Sequence, residues 1–374
     1  MDALTENQVP SAYYLLSYQN RNITRDISEY LLDLEYVDFL SGQSDELNIT
    51  LEDVDGKWST SWYPGHGDTL TLSLGWVGQT PRKLGAFEID EIEISKPPSV
   101  VTIRALAASI NSAMRTQEHR AYENTTLAAV AAQVAARQHL KLVGKIEPIK
   151  LDRLTQQEGD LAFLSKLAAE YDYAFKVTGD RLVFHAISDL ADARPVVTVS
   201  MGELSSVRLR DQIKSVPAKA TVKHKNAAKK QLVSYTVDNS GKVVAVPSSA
   251  SKATTSGDTK KSRKRAASAE VAKAKAKADL AKANRERTTG TWSMMGRPYV
   301  LSGNVIGLQA PGVLGGIYLV TSSRHRFSRD GGYTSEQQVC RVKAPAISLS
   351  LDATKPDQEL IAYSAAPNPT TATA

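Results

Sequence analysis

To about residue 105 the chain alternates apolar and polar positions with period two. Leu47, Ile49 and Leu51 interleave with Asn48, Thr50 and Glu52, and Leu70, Leu72 and Leu74 with Thr71 and Ser73. Successive side chains on a strand point to opposite faces, so this spacing predicts strands with one buried face. Phe87 and Ile89, then Ile92 and Ile94, repeat the pattern on either side of Asp90 and Glu91, where the phase slips by one residue. A turn or a bulge is required there. Val101, Ile103 and Ala105 continue the series, and Asp55-Gly56, Gly65-His66-Gly67-Asp68 and Pro97-Pro98 supply turns between the runs. Several short strands at regular spacing predict a small barrel or sandwich over residues 1–110.

The period then changes. Leu127, Val130 and Val134 recur at helical spacing between Thr125 and His139, with Asn124 to Thr126 as cap candidates and Gly144 beyond the end. Asp160 stands where it could cap a second helix with Leu161, Leu164, Leu167, Ala168 and Tyr171 as its apolar stripe. Tyr173, Phe175 and Val177, the turn Thr178-Gly179-Asp180, then Leu182 and Phe184 predict a hairpin. Residues 111–193 therefore read as a small α+β unit.

Strand patterns return at Val197, Val199, Val207 and Leu209, at Ala220 to Lys225 and at Leu232 to Val237. They return again at Tyr299 to Leu301, Ile317 to Val320 and Tyr333 to Val342, with Asp330-Gly331-Gly332 turning the last hairpin. They predict a second strand-rich unit built from residues 194–247 and 291–345, interrupted by residues 248–290. Pro247 to Asp258 is Ser-, Thr-, Ala- and Gly-rich and reads as a linker. Ser262 to Arg287 consists mainly of the helix formers Ala, Lys and Arg, with Val271 and Leu280 as its sizeable apolar groups. The expectation is a solvated or partner-facing helix that folding does not need. Residues 346–374 read as a flexible tail. The fold class is β-rich α+β.

A chain of 374 residues exceeds what one core usually holds, which agrees with several units. No apolar run approaches the ~20 residues that cross a bilayer, so no membrane partner is expected. Met1 to Asn20 has neither the basic start nor the apolar stretch of a secretory signal, which implies synthesis and residence in the cytoplasm. Charge is unevenly placed. The segment from Lys214 to Arg287 holds 19 of the 46 Lys and Arg but 5 of the 40 Asp and Glu, so the rest of the chain is acidic on balance. Lys260, Lys261, Arg263, Lys264, Arg265, Lys273, Lys275 and Lys277 are the candidate contacts to an acidic partner. A solvated helix and a phosphate-backbone contact are the competing readings; no aromatics interleave these charges, which disfavours nucleic acid.

Chemistry is poorly represented. The six histidines form no HxH, HxxxH or HExxH spacing, and the single Cys340 allows neither a disulfide nor a multi-cysteine metal site; it reads as a small buried apolar group. Gly307, Gly312, Gly315 and Gly316 have the wrong spacing for a phosphate loop and read as turns. Asp53 with Asp55, and Glu88 with Asp90 and Glu91, lie beside turns or on polar strand faces, without an apolar pocket to raise a pKa. Trp58, Trp62, Tyr63 and Trp76 suit either a sugar-stacking platform or strand-end core packing, and the second is the commoner use. No catalytic residue, metal or cofactor is expected.

Three stretches carry a resemblance. The first is Asp53 to Gly75, with a Trp-bearing turn and a Gly-Asp strand start. The second and most specific is Leu154 to Tyr171, running into the hairpin that ends at His185. The third joins Ala283 to Gly290 and Gly296-Arg297-Pro298 with Gly316 to Phe327 and Gly332 to Ser335. In this order the chain resembles the phage late control protein D family, the hub proteins of contractile tails. The resemblance implies two barrel domains like those of tail-tube proteins around an intermediate region. It implies a homotrimer between a hexameric tail tube and a trimeric central spike, with other baseplate and tape-measure proteins nearby. The site of action it implies is the baseplate of a phage tail or of a tail-like bacteriocin. The basic segment is set apart as this chain's own elaboration. A tail-tip cell-wall hydrolase, and an assembly or nucleic-acid accessory acting through the basic segment, are the alternatives.

Overall fold

Strands form where the period-two pattern places them. The computed structural model describes residues 11–107, 116–117, 119–214, 216–226, 231–238, 256–261, 266, 268–310 and 314–344. The first stretch folds as β1 (Ala12–Tyr18), β2 (Arg21–Asn22), α1 (Thr24–Ser28), β3 (Leu31–Phe39), β4 (Glu46–Glu52), β5 (Thr69–Trp76), β6 (Arg82–Ser95) and β7 (Val100–Leu106). The middle supplies β8 (Arg120–Thr126), α2 (Leu127–Arg137), β9 (Lys141–Val143), β10 (Lys150–Gln156), α3 (Asp160–Tyr171), β11 (Tyr173–Thr178), β12 (Arg181–Ala186) and α4 (Ile187–Ala191). Next come β13 (Val197–Ser200), β14 (Leu204–Asp211), β15 (Pro217–Asn226), β16 (Gln231–Asp238), β17 (Ser256–Lys261) and α5 (Ala269–Arg285). The chain returns through β18 (Thr288–Met295), β19 (Val305–Gln309), β20 (Gly316–Ser328) and β21 (Gly332–Lys343).

Thirteen strands share one sheet, in the order β14-β18-β21-β20-β3-β4-β7-β6-β5-β1-β2, with β19 on β20 and β13 on β19. Strand β20 belongs to two neighbourhoods. Its half from Ser322 to Ser328 pairs β3, while Gly316 to Leu319 pairs β19. The change of partner falls at a register shift between Val320 and Ser322, where a bulge bends the strand. Two cores result. One gathers Leu34, Leu47, Ile49, Leu51, Leu70, Leu72, Phe87 and Ile103; the other gathers Val199, Trp292, Met294, Ile306, Tyr318 and Val339. The far end of the sheet curls back until side chains meet. Tyr14 lies edge-on to Phe327 at 5.8 Å, Trp76 tilts onto Tyr333 at 5.6 Å, and Trp76 Nε1 donates to the Gly296 carbonyl at 2.9 Å. A Cβ at Gly296 would stand 2.3 Å from the Tyr333 ring, so only glycine leaves room for this closure. The phase slip at Asp90 is a bulge inside one 14-residue strand, not a turn, because the register against β7 shifts between Ile89 and Glu91.

In the middle unit the Thr126 side chain caps α2 by accepting from Ala129 N at 3.2 Å. His139, at φ 55°, follows the end of α2 with a left-handed residue, well before Gly144. The stripe of α3 is as the spacing predicts, with Phe163 added. Asp160 is not its cap. It is the first helical residue, behind Gly159, and is buried among Arg137, Gln138 and Gln156, which all donate to it. Burial pushes its pKa up, and these hydrogen bonds with the Arg137 charge outweigh that, holding it below the usual carboxylate value.

Three expectations about the later chain are corrected. Strands β15 and β16, assigned above to the second strand-rich unit, form with β17 a separate sheet in the order β16-β15-β17, and Val222 joins the core of the middle unit. The basic helix is not a solvated insertion. Ala266, Val271, Ala272 and Ala276 lie in the same core as Leu164, Leu167, Tyr171 and Val222, because a face of alanines lets α5 lie closely on β15, β16 and α3. Tyr299 to Leu301 is a turn region and the strand falls at Val305–Gln309. Gly307 therefore sits within a strand, where a Cβ would stand 2.7 Å from Thr198 Oγ1. Arg263 to Arg265, most of the linker from Pro247 and the tail at 346–374 lie outside the described residues.

Candidate functional site

Buried polar groups come first, since they are where chemistry would have to reside. His325 is fully buried, with Nε2 3.1 Å from the Val300 carbonyl, which can only accept, and Nδ1 2.9 Å from the Tyr333 hydroxyl. Nε2 therefore carries the proton and Nδ1 accepts from Tyr333. Burial holds its pKa at about 4, and Ser323 beside it gives its own proton to the same carbonyl at 2.8 Å. A serine and histidine with no exposed surface cannot meet a substrate; this network fixes the core. Among the described residues no group of three or more His, Cys, Asp and Glu is placed to hold a metal. Cys340 is buried, and burial raises its thiol to about 11, so it packs as a small apolar group.

A second buried cluster joins all parts of the chain. Lys176 of β11 places Nζ 2.6 Å from Asp38 of β3 and 3.1 Å from Asp45, and Asp38 also accepts from Ser302 Oγ at 2.9 Å. Burial and the neighbouring Asp38 raise Asp45 to about 7, with Lys176 opposing. Burial lowers the Lys176 ammonium, but the two carboxylates outweigh it and the net shift is upward. The middle unit is thereby pinned to the first core and to the loop before β19.

The exposed features are surfaces. A cleft of about 850 Å³ opens at the seam of the two cores, lined by Trp76, Val77, Val196, Met295, Pro298 and Tyr299. Val77 is 67% exposed and Met295 57%, unusual for apolar side chains grouped in one place. At the opposite end of β1, a hollow of about 480 Å³ is edged by Trp58, Trp62 and Tyr63. Trp58 is buried and meets Trp62 edge-on at an interplanar angle of 83°, and Tyr30 meets both at 76–78°. Rings in T-shaped contact give no flat sugar platform, so the packing role of these aromatics prevails.

The candidate lysines divide. Lys260 and Lys261 are exposed on β17, and Lys273 and Lys277 are exposed on α5. Lys275 is corrected: it is buried, 2.8 Å from Glu170 of α3, with its ammonium over the Tyr171 ring at 5.6 Å. It holds the helix to its own chain and is not a partner contact. Residue spacing missed Lys219 and Lys223 of β15, which alternate with buried Ala220 and Val222 and are exposed beside β17. Period two in that short run was their signal.

No family model matches the chain. A probable baseplate hub protein of Escherichia phage P2 is 32% identical over 189 residues, covering 49% of this chain and 48% of the relative. One from Escherichia phage 186 is 30% identical over 174 residues, covering 46% and 44%. The chain thus matches about half the length of these curated relatives. Among solved structures, a 43 kDa tail protein of a Shewanella oneidensis prophage superposes with a TM-score of 0.63 at 15% identity, covering 88% of this chain and 98% of that one. A tail protein from Neisseria meningitidis gives 0.60 at 13% identity, covering 88% and 96%. An Escherichia coli component of the type VI secretion system gives 0.51 at 13%, covering 88% and 79%. At those identities the likeness establishes the fold, and the curated relatives add a similarity in sequence: over about half its length the chain is similar to phage baseplate hub proteins, the proteins that its motifs resemble.

Proposed function

We propose that the chain is the structural hub of a contractile tail baseplate, joining the hexameric tail tube to the trimeric central spike as a homotrimer. The observation that carries this reading is one sheet running through two cores, with open strands at both ends. Among the described strands β14 pairs only β18, and β1 pairs β5 on one side and, over two residues, β2 on the other. Three copies of a chain with two such cores, each a barrel domain of tube type, present six similar units upward and three spike seats downward. A closed ring of heterologous contacts meets that demand. The apolar seam cleft suits the contact between neighbouring units. Tube, spike, other baseplate and tape-measure proteins are its partners, and turnover is no part of the role.

Co-expression with the spike, followed by mass measurement in solution, should give three hubs per spike trimer, and zymography on peptidoglycan should stay at background. A hub that remains monomeric with spike present, or a hydrolase activity lost on changing one carboxylate, overturns the reading.

A further inference from the structure

Two strand edges of opposite charge lie far apart on the chain. Strand β5 pairs β6 only as far as Glu88, so from Glu91 to Ser95 none of the described strands covers the outer edge of β6. That edge carries exposed Glu91 and Glu93, with Ile94 46% exposed and Lys96 just beyond. Glu91 also lies 3.7 Å from Arg104 of β7, leaving Glu93 the outermost acid. Strand β17 is the other case. It ends its three-stranded sheet, pairs β15 alone among the described strands, and exposes Asp258, Thr259, Lys260 and Lys261 in succession. An uncovered edge offers a row of backbone donors and acceptors ready to pair with another strand.

These edges lie in different sheets and do not pair within one chain among the described strands. The middle unit, on which β17 sits, is tied to the first core at Asp38, Asp45 and Ala107. There β7 starts its pairing at Leu106 opposite Glu46, whereas the free half of β6 ends at Ser95 opposite Val100. Six residues of strand separate the two ends, roughly 20 Å.

We propose that β17 of one copy docks antiparallel on the free half of β6 of the next, as a contact between hub subunits. In the register that sets Glu93 opposite Lys261, Ser95 stands opposite Thr259 and Lys96 opposite Asp258. Both charged pairs are then complementary, and the direction of the strands is fixed, because a parallel alignment with Glu93 on Lys261 carries Lys96 beyond the end of β17. The occupant is a second copy because both edges run from acid to base along the chain, an order that is complementary when the two strands are antiparallel, and the two do not pair within one chain among the described strands. The inference rests on the hub assembling head to tail, and its test separates the two claims.

Glu93→Cys combined with Lys261→Cys in one chain should give disulfide-linked dimers and trimers under mild oxidation of the assembled protein. Glu93→Cys with Asp258→Cys, out of register, should not. Lys260→Glu with Lys261→Glu should weaken self-association about tenfold, Glu91→Lys with Glu93→Lys likewise, and all four substitutions in one chain should restore it. Normal trimers with no cross-link, and charge reversals without effect, overturn the contact and leave the hub reading standing. A wild-type chain that never self-associates, with or without spike, overturns both.

Discussion

The first core and the seat of α5 bury their surfaces by different means. In the first core Leu34, Leu47, Ile49, Leu51 and Leu72 close off a curled sheet, and large aliphatic side chains supply the burial. Across α5 the contact is made by Ala272, Ala276 and Ala283, all nearly inaccessible. Two ion pairs fix it: Lys275 with Glu170, and Arg285 with Asp172 in a bidentate contact, one arm at 2.8 Å. Small side chains bury little apolar area each but let helix and helix approach closely, and the lysine stem covers the margin while its ammonium finds a carboxylate. A helix can therefore be rich in lysine and still belong to a core. Burial is a property of the face, and average composition does not report it.

This comparison can be broken most severely by replacing residues 269–285 with a Gly/Ser linker. Loss of Val271, Leu280 and the alanine face should cost at least about 5 kcal/mol and abolish cooperative unfolding of the middle unit, seen by calorimetry. An unchanged thermal transition would return α5 to the status of a solvated insertion. Lys176→Met strands two buried carboxylates and should cost roughly 3–5 kcal/mol in urea unfolding. Asp45 binds its proton more tightly folded than unfolded, so its contribution is present at low pH and lost as pH rises from about 4 to about 7. Asp45→Asn should accordingly raise stability at pH 8, on the order of 1 kcal/mol, where Lys176→Met lowers it.

His325 gives the opposite pH sign. Its folded pKa, about 4, lies below the ordinary 6.5, so the unfolded chain binds the proton more readily and stability falls as pH drops through that window. The loss should approach about 3 kcal/mol by pH 4 and be flattened in His325→Gln. Volume changes offer the finest test. Ala276→Leu should cost about 1–3 kcal/mol by forcing α5 off α3, whereas Ile49→Val in the first core should cost about 1 kcal/mol. Equal and small effects at both positions would erase the distinction between the two regions.

Much of this was legible in the residue pattern. The alternation in Leu47 to Leu51 and Leu70 to Leu74, the α2 and α3 stripes, the hairpin at Gly179-Asp180 and the slip at Asp90 all report local geometry, which two or three neighbouring residues impose. The hub resemblance was legible for the same reason, since its motifs are contiguous. Asp160 was misjudged as a cap because a helix-start aspartate has the same local signature whether it faces its own N–H groups or a buried Arg137. The lysine register was half legible: Lys273 and Lys277 point outward, while Lys275 lies inward.

What the sequence determined by itself is therefore most of the strands and helices and, for those outside α5 and β17, the face each one buries, because period and capping act over a few residues. Which sheet β15 and β16 would join, that β20 would serve two cores, and that an alanine and lysine helix would be sealed against α3 were decided only in the tertiary structure. β15 meets β17 40 residues on, β20 meets β3 more than 280 residues back and α5 meets α3 about 100 residues back, and contacts at such distances leave no trace in local spacing.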